Sequence, residues 1–224
     1  MARLPYSSLV FAHLLLFVLW LGGDVGVYTL GRHFRMRTRY SIEQRLALLK
    51  LLVAIDMVPR TAWALMVPVS LSVVAAGGYW AMPRWLLVLA WIVGLLWTAL
   101  VWDAHAHPQT PRTARERRLE FALKIVLALF YLGLGGFSLA AGAPLTGEWL
   151  AAKALLFGVI FGAATMIDVA YAPIGTQLGR LLREGSNDAT ELPLLATMNR
   201  TRMWVWTVYL LLLATAYLGV AKPF

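Results

Sequence analysis

"HLLLFVLWLGGD", residues 13–24, decides the fold. It lies inside a largely apolar stretch, residues 7–30, long enough as a helix to cross a hydrocarbon core of about 30 Å. Yet it opens on a histidine and closes on an aspartate, side chains that a bilayer penalises. His13 and Asp24 are 11 residues apart, close to three helical turns. They therefore project from one face, about 16 Å apart along the axis. Trp20 and Gly31 fall on the same side. Ionisable groups that share a face of a span look into protein or a cavity, which makes both functional suspects.

Composition agrees with a membrane solvent. Of 224 residues, 60% are hydrophobic and only 14% charged, whereas soluble domains are nearer half apolar and about a quarter charged. The chain has no cysteine, which excludes disulfides, iron–sulfur clusters and covalently attached c-type haem. A net charge of +9 raises nucleic acid as a partner, but the arginines gather in short segments between apolar runs. That distribution belongs to cytoplasmic loops, so the expected partner is the lipid bilayer and not nucleic acid. The N-terminus resembles a signal peptide, with Arg3 before an apolar stretch. No small-residue cleavage pattern ends it, and it is expected to be a retained first helix.

Six apolar segments reach spanning length, which takes about 20 helical residues. They lie near 7–30, 59–79, 84–103, 118–141, 148–172 and 201–220. The second is preceded by further apolar sequence from about residue 43, and a single helix from there to 79 would exceed about 50 Å. Pro59, beside Asp56 and Arg60, is the natural place to divide it. Residues 42–57 then form an amphipathic helix on the membrane surface. The expected fold is all-α and polytopic: a six-transmembrane-helix bundle, one integral membrane domain over 1–224, with a cytoplasmic-side amphipathic helix before the second span. The polar segment 184–192, "EGSNDATEL", is expected to be a mobile loop. "GLGG" at 133–136 sits within a span and fits close helix packing better than a phosphate loop.

The arginines set an orientation. Arg32, Arg35, Arg37, Arg39 and Arg45 follow the first span, and Arg112, Arg115, Arg117 and Arg118 follow the third. Arg180, Arg183, Arg200 and Arg202 surround the last connection, while the alternate loops carry Arg84 or nothing. The positive-inside rule makes these three connections cytoplasmic and turns both termini outward. The setting is a bacterial-type inner membrane, with the termini on its periplasmic side.

This topology places His13 and Lys153 at similar depth in the outer half. A neutral histidine is a frequent haem or metal ligand, and a lysine can hold a propionate, an anionic substrate or a quinone oxygen. Alternatively, His13 bonds a neighbouring helix and Lys153 reaches to the headgroups. Asp24, Asp168, Lys124 and Arg60 lie toward the inner half, where Asp168 has Lys124 or Arg60 as a cationic partner. "DAHAH", residues 103–107, offers a second metal candidate: if extended, Asp103, His105 and His107 share a face. On a helix they diverge, and the segment is then a solvated helix terminus. Most of the ten tryptophans and other aromatics mark span ends, among them Tyr6, Trp80, Trp85, Trp149 and Trp204. Trp20 sits mid-span on the His13 face, either lining a ring-binding pocket or packed in the interior.

Several short motifs occur together: His13 followed by Trp20, Gly22 and Gly23; "LMVP" with Met66 and Pro68, then Gly77; "WLAAK" with Trp149, Leu150 and Lys153; and a terminal "AKPF". In these the chain resembles the haem-binding HemJ-type protoporphyrinogen oxidases and the wider CopD-like membrane proteins. The resemblance covers spans one, two, five and six. HemJ-type proteins have four membrane helices, with a functional histidine in the first and a functional lysine in the third, which correspond by motif to His13 and Lys153. The chain departs from the pattern at Ala151, where "WLHxK" has a histidine, and near Ala164, where a second is expected. Spans three and four have no counterpart.

Three functions follow as expectations. The first is a membrane redox protein binding b-type haem through His13, with Trp20 and Lys153 also contacting the cofactor. Lys153 and Asp24 serve its chemistry, and electrons are exchanged with a quinone, a tetrapyrrole or a partner protein. The second is CopD-like copper or ion transport, with Asp24 and Asp168 carrying protons or ions. The third is a structural subunit, as a homo-oligomer or within a larger membrane complex.

Overall fold

The second spanning segment shows how the chain is built. In the structure, a computed structural model describing residues 6–108 and 110–224, it is part of one long helix. The helices are α1 (Tyr6–Phe34), α2 (Ile42–Ala76), α3 (Arg84–Ala106), α4 (Pro111–Ala141), α5 (Glu148–Tyr171), α6 (Ile174–Glu184) and α7 (Asp188–Ala221). Among the described residues there is no strand. Six helical segments among the described residues are long and apolar enough to cross a membrane, so the expected all-α architecture with six spans is the one observed. Packing divides the chain into two units, Met1–Glu120 and Phe121–Phe224. The first turns of α4 belong to the first unit and the rest of that helix to the second.

The expected break at Pro59 does not occur. Residues 42–57 are helical, but they form the first half of α2 and not a separate surface helix. The 35 residues of α2 rise about 52 Å, and Pro59 and Pro68 both lie in its interior. An interior proline removes one helical hydrogen bond and crowds the preceding turn. Within spans such residues are tolerated when a neighbouring helix accommodates them. Here each proline ring fills a gap left by a glycine. A Cβ on Gly23 of α1 would lie 2.7 Å from Pro59 Cδ, and one on Gly94 of α3 would lie 2.7 Å from Pro68 Cγ. The Gly94 Cβ position is also 3.1 Å from the Ala64 carbonyl oxygen, the acceptor that Pro68 deprives of its usual donor. Sequence rules that treat a proline alone cannot see the glycine opposite it.

The start of α2 is fixed by a capping box between Ser41 and Gln44, which satisfies two end donors. One turn into the helix, Arg45 donates from Nε to the Phe34 carbonyl at 2.7 Å and lies 4.7 Å over the Phe34 ring. Arg45 is fully buried. It closes the C-terminus of α1, where a cation complements the exposed carbonyls.

In the second unit, α4 and α5 cross nearly backbone to backbone. A Cβ on Gly135 would run into the Leu155 backbone and the Ala151 carbonyl, and one on Gly158 would meet Leu132 N at 2.7 Å. The packing role expected for "GLGG" therefore falls on Gly135. Tyr131, Phe157 and Phe161 fill the space beside the crossing, with ring centroids 4.7–6.0 Å apart.

The loop expected at 184–192 contracts to a short turn. Asn187 caps α7 reciprocally with Thr190, and Ser186 donates to the buried Glu191 at 2.7 Å. These polar residues satisfy a helix start, which is why a stretch that looks like loop is mostly helix. The strongly amphipathic element is α6, just before the last span, with Leu181 buried and Arg180 paired to Glu184 at 2.8 Å.

Candidate functional site

The face of α1 that carries His13, Trp20 and Asp24 packs on α2. Gly31 faces Leu52, Gly26 faces Ile55, Gly23 faces Pro59 and Trp20 faces Trp63. The two helices are therefore antiparallel with a steady register, which brings the half-buried His13 level with Ser70. His13 is the histidine that lies inside a span, about two turns from the start of α1. His33 ends α1 with Nδ1 3.0 Å from the Tyr40 hydroxyl, and His105 and His107 lie at the end of α3.

Trp20 is buried in an indole stack. Its ring lies 5.4 Å from Trp63 at 23°, and Trp63 meets Trp97 edge-on at 5.0 Å. Trp97 Nε1 donates to Glu120 Oε1 at 3.4 Å. One indole thus comes from each of α1, α2 and α3, and each such pair contributes about 0.5–1.5 kcal/mol beyond area burial. Of the two roles open to Trp20, interior packing is the one adopted. Trp63 and Trp97 were not singled out from the sequence, because the stack needs three helices to exist.

One turn beyond Trp20, the indole N–H donates to the Asp24 carboxylate, with Asp56 and Arg60 close enough to act on it electrostatically. Arg60 Nε lies 2.5 Å from Asp56 Oδ2. The close approach at Gly23 and Pro59 brings these side chains together. In the second unit Asp168 takes the other of its two candidate partners, Lys124, at 2.9 Å.

An apolar groove of about 310 Å³ lies among α1, α2 and the end of α3, lined by Leu16, Leu19, Met57, Thr61, Leu65 and Trp102 among others. Its polar atoms serve each other. Trp102 Nε1 donates to Thr61 Oγ1 at 3.0 Å, and Thr61 donates to the Met57 carbonyl at 2.7 Å. Leu16, at one end of the lining, is one turn from His13.

The second metal candidate does not assemble. Asp103 and His105 lie within α3 and His107 is its C-cap, so the extended arrangement that would align them is not adopted. Asp103 is instead held by Arg112 at 2.7 Å, and Arg112 also reaches Glu116 at 3.0 Å. His107 lies 3.4 Å from Asp103, and Thr113 donates to the His107 carbonyl. This is a tied helix terminus. Arg112 and Glu116, which build it, lie outside the "DAHAH" segment. Among the described residues no three His, Asp or Glu side chains are placed to hold a metal ion.

Lys153, in the second unit, lies on α5 one turn after Trp149. Its Nζ rests against α7, where a Cβ on Gly219 would be 2.5 Å away. Compared with protein-family models, curated proteins and solved structures, the chain matches none of them.

Proposed function

We propose that the protein is a redox protein of a bacterial-type inner membrane, with both termini on the outer side, in which His13 is an axial ligand of b-type haem. Electrons pass to or from a quinone, a tetrapyrrole or a partner protein. The donor set supports this reading. Haem brings four nitrogen donors and needs one or two ligands from the protein, whereas an ion held by side chains alone needs three or four. The chain offers one imidazole inside a span, about two turns from its outer end, and no converging set of three among the described residues. That contrast fits haem.

When bound, haem supplies one-electron chemistry. This chain's own residues hold and shield it. His13 would hold the group, the apolar side chains of α1 would keep water from it, and the buried indole stack fixes the α1 face on which His13 stands. Asp24, bonded to Trp20 and flanked by Asp56 and Arg60, holds a proton or balances charge at the other end of that face. Haem analysis of detergent-purified protein from haem-replete cells tests the assignment. About one haem per chain is expected, and protein without haem would overturn it.

A second reading, CopD-like ion transport, is favoured by the ion pairs Lys124–Asp168 and Asp56–Arg60, because charges within spans often mark ion paths. It requires uptake by vesicles containing the purified protein, with loss of uptake in Asp168→Asn.

A further inference from the structure

Lys153, which the haem expectation places at the cofactor, lies in the second unit, and its surroundings there raise a question of their own. It is half-buried within a span, and it makes no hydrogen bond or ion pair among the described residues. A cation in apolar surroundings is normally paired. Glu148, the nearest acid along α5, is exposed and does not pair with it. Instead, its ammonium group reaches α7 at Gly219, where Nζ lies 2.5 Å from the position a Cβ would take.

One turn toward the end of the same two helices, Lys222 Nζ lies 5.1 Å over the Trp149 ring. The pairs Lys153–Gly219 and Trp149–Lys222 are successive contacts of one antiparallel crossing between α5 and the end of α7. Lys153 and Lys222 therefore stand at neighbouring levels of this crossing, Trp149 lying one helical turn before Lys153. Two neighbouring cations on flexible stems, one against a glycine and one resting on an indole, can both bond the oxygens of a single tetrahedral anion. Charge-assisted bonds of this kind are the strong ones. An indole at a span end is also the side chain that settles at the headgroup level.

We propose that the notch formed by Lys153, Gly219, Trp149 and Lys222 binds a phosphate-bearing anion, with the headgroup of an acidic phospholipid as its source. The phosphate supplies the counter-charge that Lys153 lacks, and the acyl chains lie along the apolar faces of α5 and α7. The site belongs wholly to the second unit and does not depend on haem.

Native mass spectrometry of the full chain in mild detergent tests it, with short-chain phosphatidylglycerol, phosphatidylcholine of equal chain length and inorganic phosphate as separate probes. Wild-type protein should retain phosphatidylglycerol about tenfold better than phosphatidylcholine, and Lys153→Met should abolish the preference, a loss of about one charge-assisted bond. Lys222→Ala, at an exposed helix end, should reduce it severalfold while leaving the fold intact. Competition by millimolar inorganic phosphate would support the phosphate site and assign its source to free phosphate. Equal retention of both lipids by wild type, with no binding of inorganic phosphate, would overturn the proposal. So would a preference unchanged in both variants.

Discussion

At the scale of single residues, the structure separates side chains that look equivalent in sequence. Gly135 and Gly136 are neighbours in one glycine-rich motif, but only Gly135 faces the α5 backbone, while a Cβ on Gly136 would meet nothing within 4 Å. Gly135→Ala should destabilise the protein by about 1–3 kcal/mol, as overpacking does. Gly136→Ala should be neutral or stabilising by up to about 1 kcal/mol, from helix propensity. Thermal unfolding in detergent compares the two directly, and equal effects would count against the crossing. The Lys124–Asp168 pair is also asymmetric: the Lys124 side chain is 6% exposed and that of Asp168 37%. Removing the aspartate strands a buried cation, whereas removing the lysine leaves an acid that solvent can partly reach. Asp168→Asn should therefore cost more than Lys124→Met, on the order of 1–3 kcal/mol after allowance for the exposed partner. The sequence identified His13, Trp20, Asp24 and Lys153 by their oddity within spans, and it named Lys124 among the partners of Asp168. It gave no sign of Trp63, Trp97 or Glu120, whose roles exist only across helices.

At the scale of elements, the spans were legible because hydrophobic length is a strong signal, and their centres agree with the helices observed. Their ends were less legible. The division placed at Pro59 rested on a local rule, and the fold answers that rule with Gly23 on the facing helix. The loop placed at 184–192 rested on polarity, which there caps and fills the start of α7. If Pro59 and Gly23 are matched, Gly23→Ala should lower stability by about 1–3 kcal/mol, because the pyrrolidine ring cannot yield as a flexible side chain would. Little change in the unfolding midpoint would show that the helices can move apart there. Arg45 shows a different limit. By sequence it belongs with the loop cations that set orientation, yet it is buried and bonded to the end of α1. Arg45→Ala should cost about 1.5–3 kcal/mol, the worth of a hydrogen bond to a charged donor. Arg45→Lys should recover only part of that, because a guanidinium also stacks on Phe34 while an ammonium does so less well.

At the scale of the whole molecule, the protein is a helical chain with membrane-spanning segments, packed as two units, with the proposed haem ligand in the first and the proposed phosphate site in the second. The proposed orientation is open to test because the chain contains no cysteine, so single cysteines report without background. In spheroplasts, Ala81→Cys should react with a membrane-impermeant maleimide, and Thr38→Cys should react only after lysis. The reverse pattern would invert the topology and with it the depth assigned to His13. The most direct test of the central claim is a dithionite-reduced minus oxidised absorption spectrum of the purified protein, with His13→Ala measured in parallel. The account predicts α and Soret bands in the wild type that are lost in the variant. A flat wild-type spectrum, or bands unchanged by His13→Ala, would contradict it.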